Sequence, residues 1–187
     1  MDERSFNSVM PRVNENWAAK VLNMRINPQR GPDLIDNKKA VEVKSKIIYP
    51  DGRYSHKCWK VLGHQLNYNI NFPDIYWGLV FYKANTEVED IKRSDLANLE
   101  KIVDYRELYL VRWNWMNQFP IYHHHGKTQL SEWDNDIIFP KFALIPKVIS
   151  AQEVKDGKVF FTKGVNPYKF EINKGDAHQN TYKDVPF

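Results

Sequence analysis

Apolar residues recur along this chain with two different periods. Phe6, Val9, Met10, Val13, Trp17, Val21 and Met24 fall at steps of three and four, the spacing of one helix face. This predicts a first helix, with Pro11 tolerated in or near its first turn and an end before Asn27-Pro28. Glu15 lies between Val13 and Trp17, at the border of the apolar stripe. Beyond Gly31 the period becomes two. Asp33 to Asp36 reads as a short strand, Asn37-Lys38 as a tight turn, and Lys39 to Ile48 as a longer strand closed by Pro50-Asp51-Gly52. His56 to Ile70 carries Trp59, Leu62, Leu66 and Ile70 at helical spacing, which predicts a second helix.

Ile75 to Lys83, IYWGLVFYK, is nearly all apolar or aromatic, as a central strand buried on both faces would be. Ser94 is placed to cap a short helix carrying Leu96, Leu99 and Ile102, and Leu108 to Trp115 reads as another strand. The rest is irregular and punctuated by Pro120, Pro140 and Pro146. A late hairpin is expected from Val159–Thr162 and Tyr168–Ile172 around KGVNP, with a loose polar tail from Gly175. The order of elements predicts one α/β (α+β) domain over residues 1–187, built on a mixed β-sheet core flanked by helices. Residues 8–115 would form the core and 116–187 an irregular, β-rich C-terminal elaboration suited to substrate recognition.

Composition narrows the class. In 187 residues, 42% are hydrophobic and 27% charged, enough apolar material for a core and unlike a disordered chain. No apolar run of membrane-spanning length occurs. MDERSFNSVM has no apolar stretch of the signal-peptide kind. The single Cys58 cannot form an internal disulfide. A soluble cytoplasmic protein with no membrane association is expected. The net charge of +4 is unevenly spread: residues 1–64 hold 12 Lys/Arg against 7 Asp/Glu, and residues 65–187 hold 15 against 16. A polyanion partner near the first third fits that asymmetry, as does chance scatter of a few lysines.

One constellation carries chemistry. In the longer strand, side chains alternate faces, so Glu42 and Lys44 point one way while Val41 and Val43 point into the core. A turn at Asn37-Lys38 folds Asp33 back beside Glu42 on the same sheet face. Two carboxylates held together repel unless a cation lies between them. A hard divalent ion such as Mg²⁺ fits, because it needs only one or two carboxylates plus other oxygens, here including the Val43 carbonyl. Lys44 would then stand beside an attacking water or a scissile phosphate. A bare Glu-x-Lys on a strand usually marks a solvated face; the preceding Gly-Pro-Asp at hairpin distance distinguishes this one.

GPDLIDNKKAVEVKSK resembles the active-site hairpin of the PD-(D/E)xK nuclease superfamily, the restriction-endonuclease-like fold. The motif covers residues 32–44, and the surrounding order of elements extends the likeness to about residues 8–115. The resemblance implies a Mg²⁺-dependent deoxyribonuclease, with Mn²⁺ as a substitute ion. Asp33 and Glu42 would be metal ligands and Lys44 would assist the nucleophilic water. It also implies DNA as partner and a homodimer. Some members add a glutamate from the first helix, for which Glu15 is the candidate, or a glutamine after the motif strand, for which Gln65 is. A type II restriction-type endonuclease is the expectation within the class. The alternatives are a structure-specific nuclease, such as a Holliday junction resolvase or a phage or mobile-element endonuclease, and a non-catalytic DNA-binding module on the same fold.

Other features add less. Arg53, His56, Lys57 and Lys60 follow the motif strand and are candidates for phosphate contacts, or else form a solvated helix face. His123-His124-His125 cannot all face one metal on a regular strand and reads as a polar loop. Cys58, His56 and His64 lack the paired spacing of a zinc site. Trp113 and Trp115 read as core rather than as base-stacking platforms. No dinucleotide-binding fingerprint occurs, so no such cofactor is expected.

Overall fold

The first apolar stripe forms a helix, α1 (Glu3–Leu22), in the computed structural model of the chain, which describes residues 3–48, 58–62, 65, 72, 74–84, 96–113, 121–123, 134–138 and 148–162. The helix begins earlier than its apolar pattern implies, so Pro11 sits inside it and leaves one carbonyl of the preceding turn without its helical N–H partner. Two short strands follow, β1 (Arg25–Ile26) and β2 (Leu34–Ile35), then β3 (Lys39–Ile48), β4 (Cys58–Leu62) and β5 (Asp74–Ala84). The second half holds α2 (Leu96–Lys101), β6 (Val103–Arg112), β7 (Ile121–His123), β8 (Asp134–Ile138), β9 (Val148–Val154) and β10 (Gly157–Thr162). Among the described residues, no helix is long and apolar enough to cross a membrane.

Seven strands form one mixed sheet in the order β1-β2-β3-β5-β6-β10-β9, and β4-β8-β7 form a second, three-stranded sheet. The pairs β3–β5 and β6–β10 are parallel, and the remaining pairs of the large sheet are antiparallel. The expected mixed α/β architecture is therefore present, and its main sheet takes strands from both sides of residue 115. The near-continuous apolar strand expected at Ile75–Lys83 is β5, at the centre, with Trp77, Leu79, Val80, Phe81 and Tyr82 all buried.

Each face of the sheet has its own core. On one, α1 brings Trp17, Ala18 and Ala19 against Val41, Val43, Val80, Leu108 and Leu110, while Met10 and Val13 meet Leu99 of α2. The other face is aromatic. Trp77 and Trp113 stack with centroids 4.0 Å apart, and the Trp77 indole N–H donates to the Trp113 carbonyl. Phe81 meets Trp59 and Tyr109 edge-on. Such ring pairs add about 0.5–1.5 kcal/mol each beyond their area burial. Trp113 is thus core, as its sequence context indicates; Trp115 lies outside the described residues.

Several elements differ from the sequence expectation, among them β7, which takes in His123 of the run read as a polar loop. Residues 58–62 form a strand, not the start of a helix. A short apolar run is ambiguous by periodicity alone, and pairing with β8, together with burial of Trp59, decides for the strand. β6 starts five residues before the expected Leu108. Its first half carries Asp104 and Arg106, which conceal it, but Arg106 is fully buried, donating to Asn14 Oδ1 at 3.0 Å and Glu100 Oε2 at 2.9 Å. Finally, β10 forms a hairpin with β9; residues 168–172, expected to pair with it, lie outside the described residues, as does Ser94.

The turn of that hairpin is Lys155-Asp156, with Asp156 at φ 67°. The following Gly157 is required by close approach: a Cβ there would lie 2.1 Å from the Arg106 carbonyl oxygen. Gly157→Ala therefore forces β10 away from β6. A loss of about 1–3 kcal/mol is expected, read from the urea midpoint; an unchanged midpoint would refute the close-packing account.

Candidate active site

Hairpin pairing builds the site. β2 and β3 pair with Leu34 opposite Val41 and Ile35 opposite Ala40. The Asp36 N–H donates to the Lys39 carbonyl at 3.0 Å, closing the expected two-residue turn at Asn37-Lys38. Asp36 Oδ1 also accepts the N–H groups of Lys38 (2.8 Å) and Lys39 (2.7 Å), and those bonds hold its carboxyl below the usual range. The next step of the ladder sets Asp33 across from Glu42. There Asp33 Oδ2 accepts the Val43 N–H at 2.8 Å.

The loop before Asp33 is held by Asn27, a residue whose sequence signal was only that of a helix stop. The Asn27 N–H donates to the Asp33 carbonyl at 2.8 Å and its side-chain amide to the Pro32 carbonyl at 3.0 Å. Gly31, at φ 142°, takes a backbone conformation that side chains rarely adopt and passes close to that amide. The Asn-Pro and Gly-Pro pairs were the signals for this loop; a two-residue β1 gave none.

Val41 and Val43 face α1, as the alternation requires. Glu42 occupies the opposite face, level with Trp77 of β5, and that face is also core. Its side chain is only 2% exposed and that of Lys44 20%, so this is not a solvated Glu-x-Lys. Lys44 Nζ donates to Glu42 Oε1 at 2.8 Å. Gln65 Nε2 donates to the same oxygen, joining the candidate after the motif strand to the hairpin. Glu42 Oε2 is buried and, among the described residues, accepts no hydrogen bond. A buried carboxylate oxygen left bare is costly and is one hard oxygen donor for a cation. The Asp33 carboxyl and the Val43 carbonyl are the neighbouring oxygens of the kind Mg²⁺ takes. Among the described residues, no three or more His, Cys, Asp or Glu side chains group as a ready-made metal site; two carboxylates with a backbone oxygen are what the hairpin offers.

Electrostatics ties a third carboxyl to these two. Glu15 of α1 is pushed up to about 7, first by burial and then by the charge of Asp33, with Lys44 and Arg12 opposing. Glu42 is also raised to about 7, chiefly by burial, with Asp33 and Glu15 adding and Lys44 opposing. Burial raises Asp33 as well, against its bond from Val43 and the charge of Lys44. Glu15, Asp33, Glu42, Lys44 and Gln65 thus form one interacting group. Arg53, His56 and Lys57 lie outside the described residues, as does the side chain of Lys60 on β4. The sequence reading missed Lys46, two residues beyond Lys44 on the same face. It is buried, with its ammonium 5.1 Å from the Trp59 ring centre; the Lys-Ser-Lys spacing was its signal.

A pH dependence follows for the metal-free protein. The folded pKa of Glu42, about 7, lies above its ordinary 4.5, so the native state holds the extra proton. That contribution to stability is full below about pH 4.5 and is lost as pH rises through about 7. The melting temperature of the wild type relative to Glu42→Gln, measured in EDTA, should fall across this window and level off above it. A difference independent of pH would contradict the raised carboxyl.

No protein-family model, no curated protein and no solved structure matches the chain.

Proposed function

We propose that this chain is a Mg²⁺-dependent deoxyribonuclease that hydrolyses phosphodiester bonds with the Asp33/Glu42/Lys44 hairpin, on a restriction-endonuclease-like fold. The observation that carries the reading is the buried, unpartnered Glu42 Oε2 beside Asp33. A binding module would have no use for crowded, desolvated carboxyls whose charged forms are disfavoured. Glu42 and Asp33, with the Val43 carbonyl, would hold the ion. When bound, Mg²⁺ lowers the pKa of a water and offsets charge on a phosphoryl oxygen.

The side chains would divide the remaining work. Lys44, fixed by Glu42 Oε1, orients the attacking water and balances the charge that develops as a water oxygen bonds to phosphorus and a backbone P–O bond breaks. Gln65 holds the same carboxylate oxygen and so keeps Oε2 directed to the ion. Glu15, raised to about 7, is poised to take a proton near neutral pH. Arg53, His56, Lys57 and Lys60 remain candidates for phosphate contacts.

The subtype we favour is a type II restriction-type endonuclease acting as a homodimer, one site per strand. The separate β4-β8-β7 sheet supports it as an addition to the large sheet from which base-reading loops could extend. The coupling of Glu15 to Asp33 and Lys44 favours a second reading, a structure-specific nuclease, since a first-helix glutamate is the feature that junction resolvases of this superfamily add.

Plasmid DNA should be cut with Mg²⁺ or Mn²⁺ and left intact in EDTA. Asp33→Ala, Glu42→Ala and Lys44→Ala should each slow cleavage at least ~100-fold while circular dichroism shows the fold retained. Sequencing the cut ends separates the subtypes: discrete cuts at one short motif mark restriction, and cuts confined to branched substrates mark a junction enzyme. Binding without cleavage of duplex, junction or single strand under either metal would leave only the DNA-binding module.

A further inference from the structure

A second site lies across α1 from the carboxylates. A cavity of about 710 Å³ opens between α1, the α2–β6 junction and the β9–β10 turn. That volume is within the range of small-ligand pockets. Its α1 residues, Val13, Asn16 and Lys20, lie about 100–160° around the helix from Glu15, at ~100° per residue. It is therefore a different surface from the hairpin.

The lining has a definite chemistry. Lys20, Lys101 and Lys155 come from three separate elements, and all three residues are exposed. Val13 and Val103 are buried and add apolar wall. Two carboxylates are present, Glu100 and Asp156, but both face a buried cation. Glu100 accepts from Arg106 at 2.9 Å, and the charge of Asp156 also stabilises the Arg106 guanidinium. Among the described lining residues and Arg106, four cations thus stand against two carboxylates. Lys20 and Lys101 each lie in the last turn of a helix, where a cation also offsets the helix dipole. That role does not require them to meet Lys155 around one cavity.

The turn that supplies Lys155 is fixed from beneath. The Trp17 indole N–H donates to the Lys155 carbonyl at 3.4 Å, the Arg106 N–H donates to the Asp156 carbonyl at 2.7 Å, and Gly157 admits no side chain against β6. The backbone of Lys155 is thereby fixed at the cavity rim, which limits the ordering cost of binding to its side chain.

The geometry points to a phosphate-binding site formed by Lys20, Lys101 and Lys155, with Asn16 as a neutral hydrogen-bonding partner. The phosphate can belong to a small molecule, such as a nucleotide whose apolar base would meet Val13 and Val103, or to a nucleic-acid backbone. The inference does not depend on the nuclease reading.

Calorimetric titration of the metal-free protein in EDTA tests it, with AMP, inorganic phosphate and a short blunt DNA duplex as probes. Lys20→Ala/Lys155→Ala should weaken at least one probe roughly tenfold or more. Arg25→Ala/Arg30→Ala, at the opposite edge of the sheet, is the charge-matched control. Loss of AMP or phosphate binding identifies a small-molecule site. Loss confined to the duplex, with the salt slope reduced by ~0.9 per lysine, identifies a backbone contact. Equal losses in control and lysine variant, unchanged binding in the lysine variant, or no binding of any probe to the wild type would overturn the proposal.

Discussion

Crowding of carboxyl groups around one buried strand is the constraint on which the site depends. β3 has core on both faces: α1 covers Val41 and Val43, and the aromatic layer lies on the face of Glu42. Glu42 therefore loses its water, and Asp33 and Glu15 add like charge to it. Lys44 opposes the charge on all three carboxyls and Arg12 that on Glu15, and Lys44 is already bonded to Glu42 Oε1. Burial outweighs these cations at Glu15, Asp33 and Glu42 alike, so the metal-free protein meets the crowding by keeping protons. A divalent ion would do the same work without them, releasing protons as it binds. Solvent exposure is the usual reason to discount a Glu-x-Lys; here Glu42 is buried, and burial is what raises its carboxyl.

The hairpin was legible in the sequence because everything that forms it is local. Asp33 and Glu42 are nine positions apart, their pairing follows from a two-residue turn, and strand alternation alone assigns Glu42, Lys44, Val41 and Val43 to their faces. Glu15 could be named only by elimination, as the acid at the border of the α1 stripe. Its coupling to Asp33 depends on how the helix docks, a tertiary fact without a local signal. Gln65 is similar: it lies within the segment read as helix, just beyond the part found as strand, yet its amide reaches Glu42. The helical spacing of Trp59, Leu62, Leu66 and Ile70 was real in the sequence, but strand pairing with residues more than 70 positions away decided the conformation of 58–62.

The second half was harder to read for a related reason. The first half of β6 has charged residues where a central strand should be apolar, and the pattern makes sense only with Asn14 and Glu100 beside Arg106. The β9–β10 turn carried an Asp-Gly signal at Asp156-Gly157 that competed with the stronger-looking punctuation of Gly164 and Pro167. What selects it is the parallel seating of β10 on β6, made possible by the glycine. Parallel pairing is set by long connections rather than by adjacent turns, so it leaves little trace in a local pattern.

The two proposed sites share α1, whose position is set by contacts with β6 and the β9–β10 turn. Trp17 stacks over Arg106, with 5.3 Å between the guanidinium carbon and the ring centre, and bonds the β9–β10 turn. Asn14 accepts from Arg106 on the preceding turn of the same helix. Glu15 lies between these two anchors in sequence, so its height and rotation beside Asp33 are fixed by contacts on the far side of the helix. The register of a carboxyl at the hairpin is thereby set by an arginine on β6 and a turn near residue 155. The helix presents Glu15 on one flank because the sheet grips it by the other.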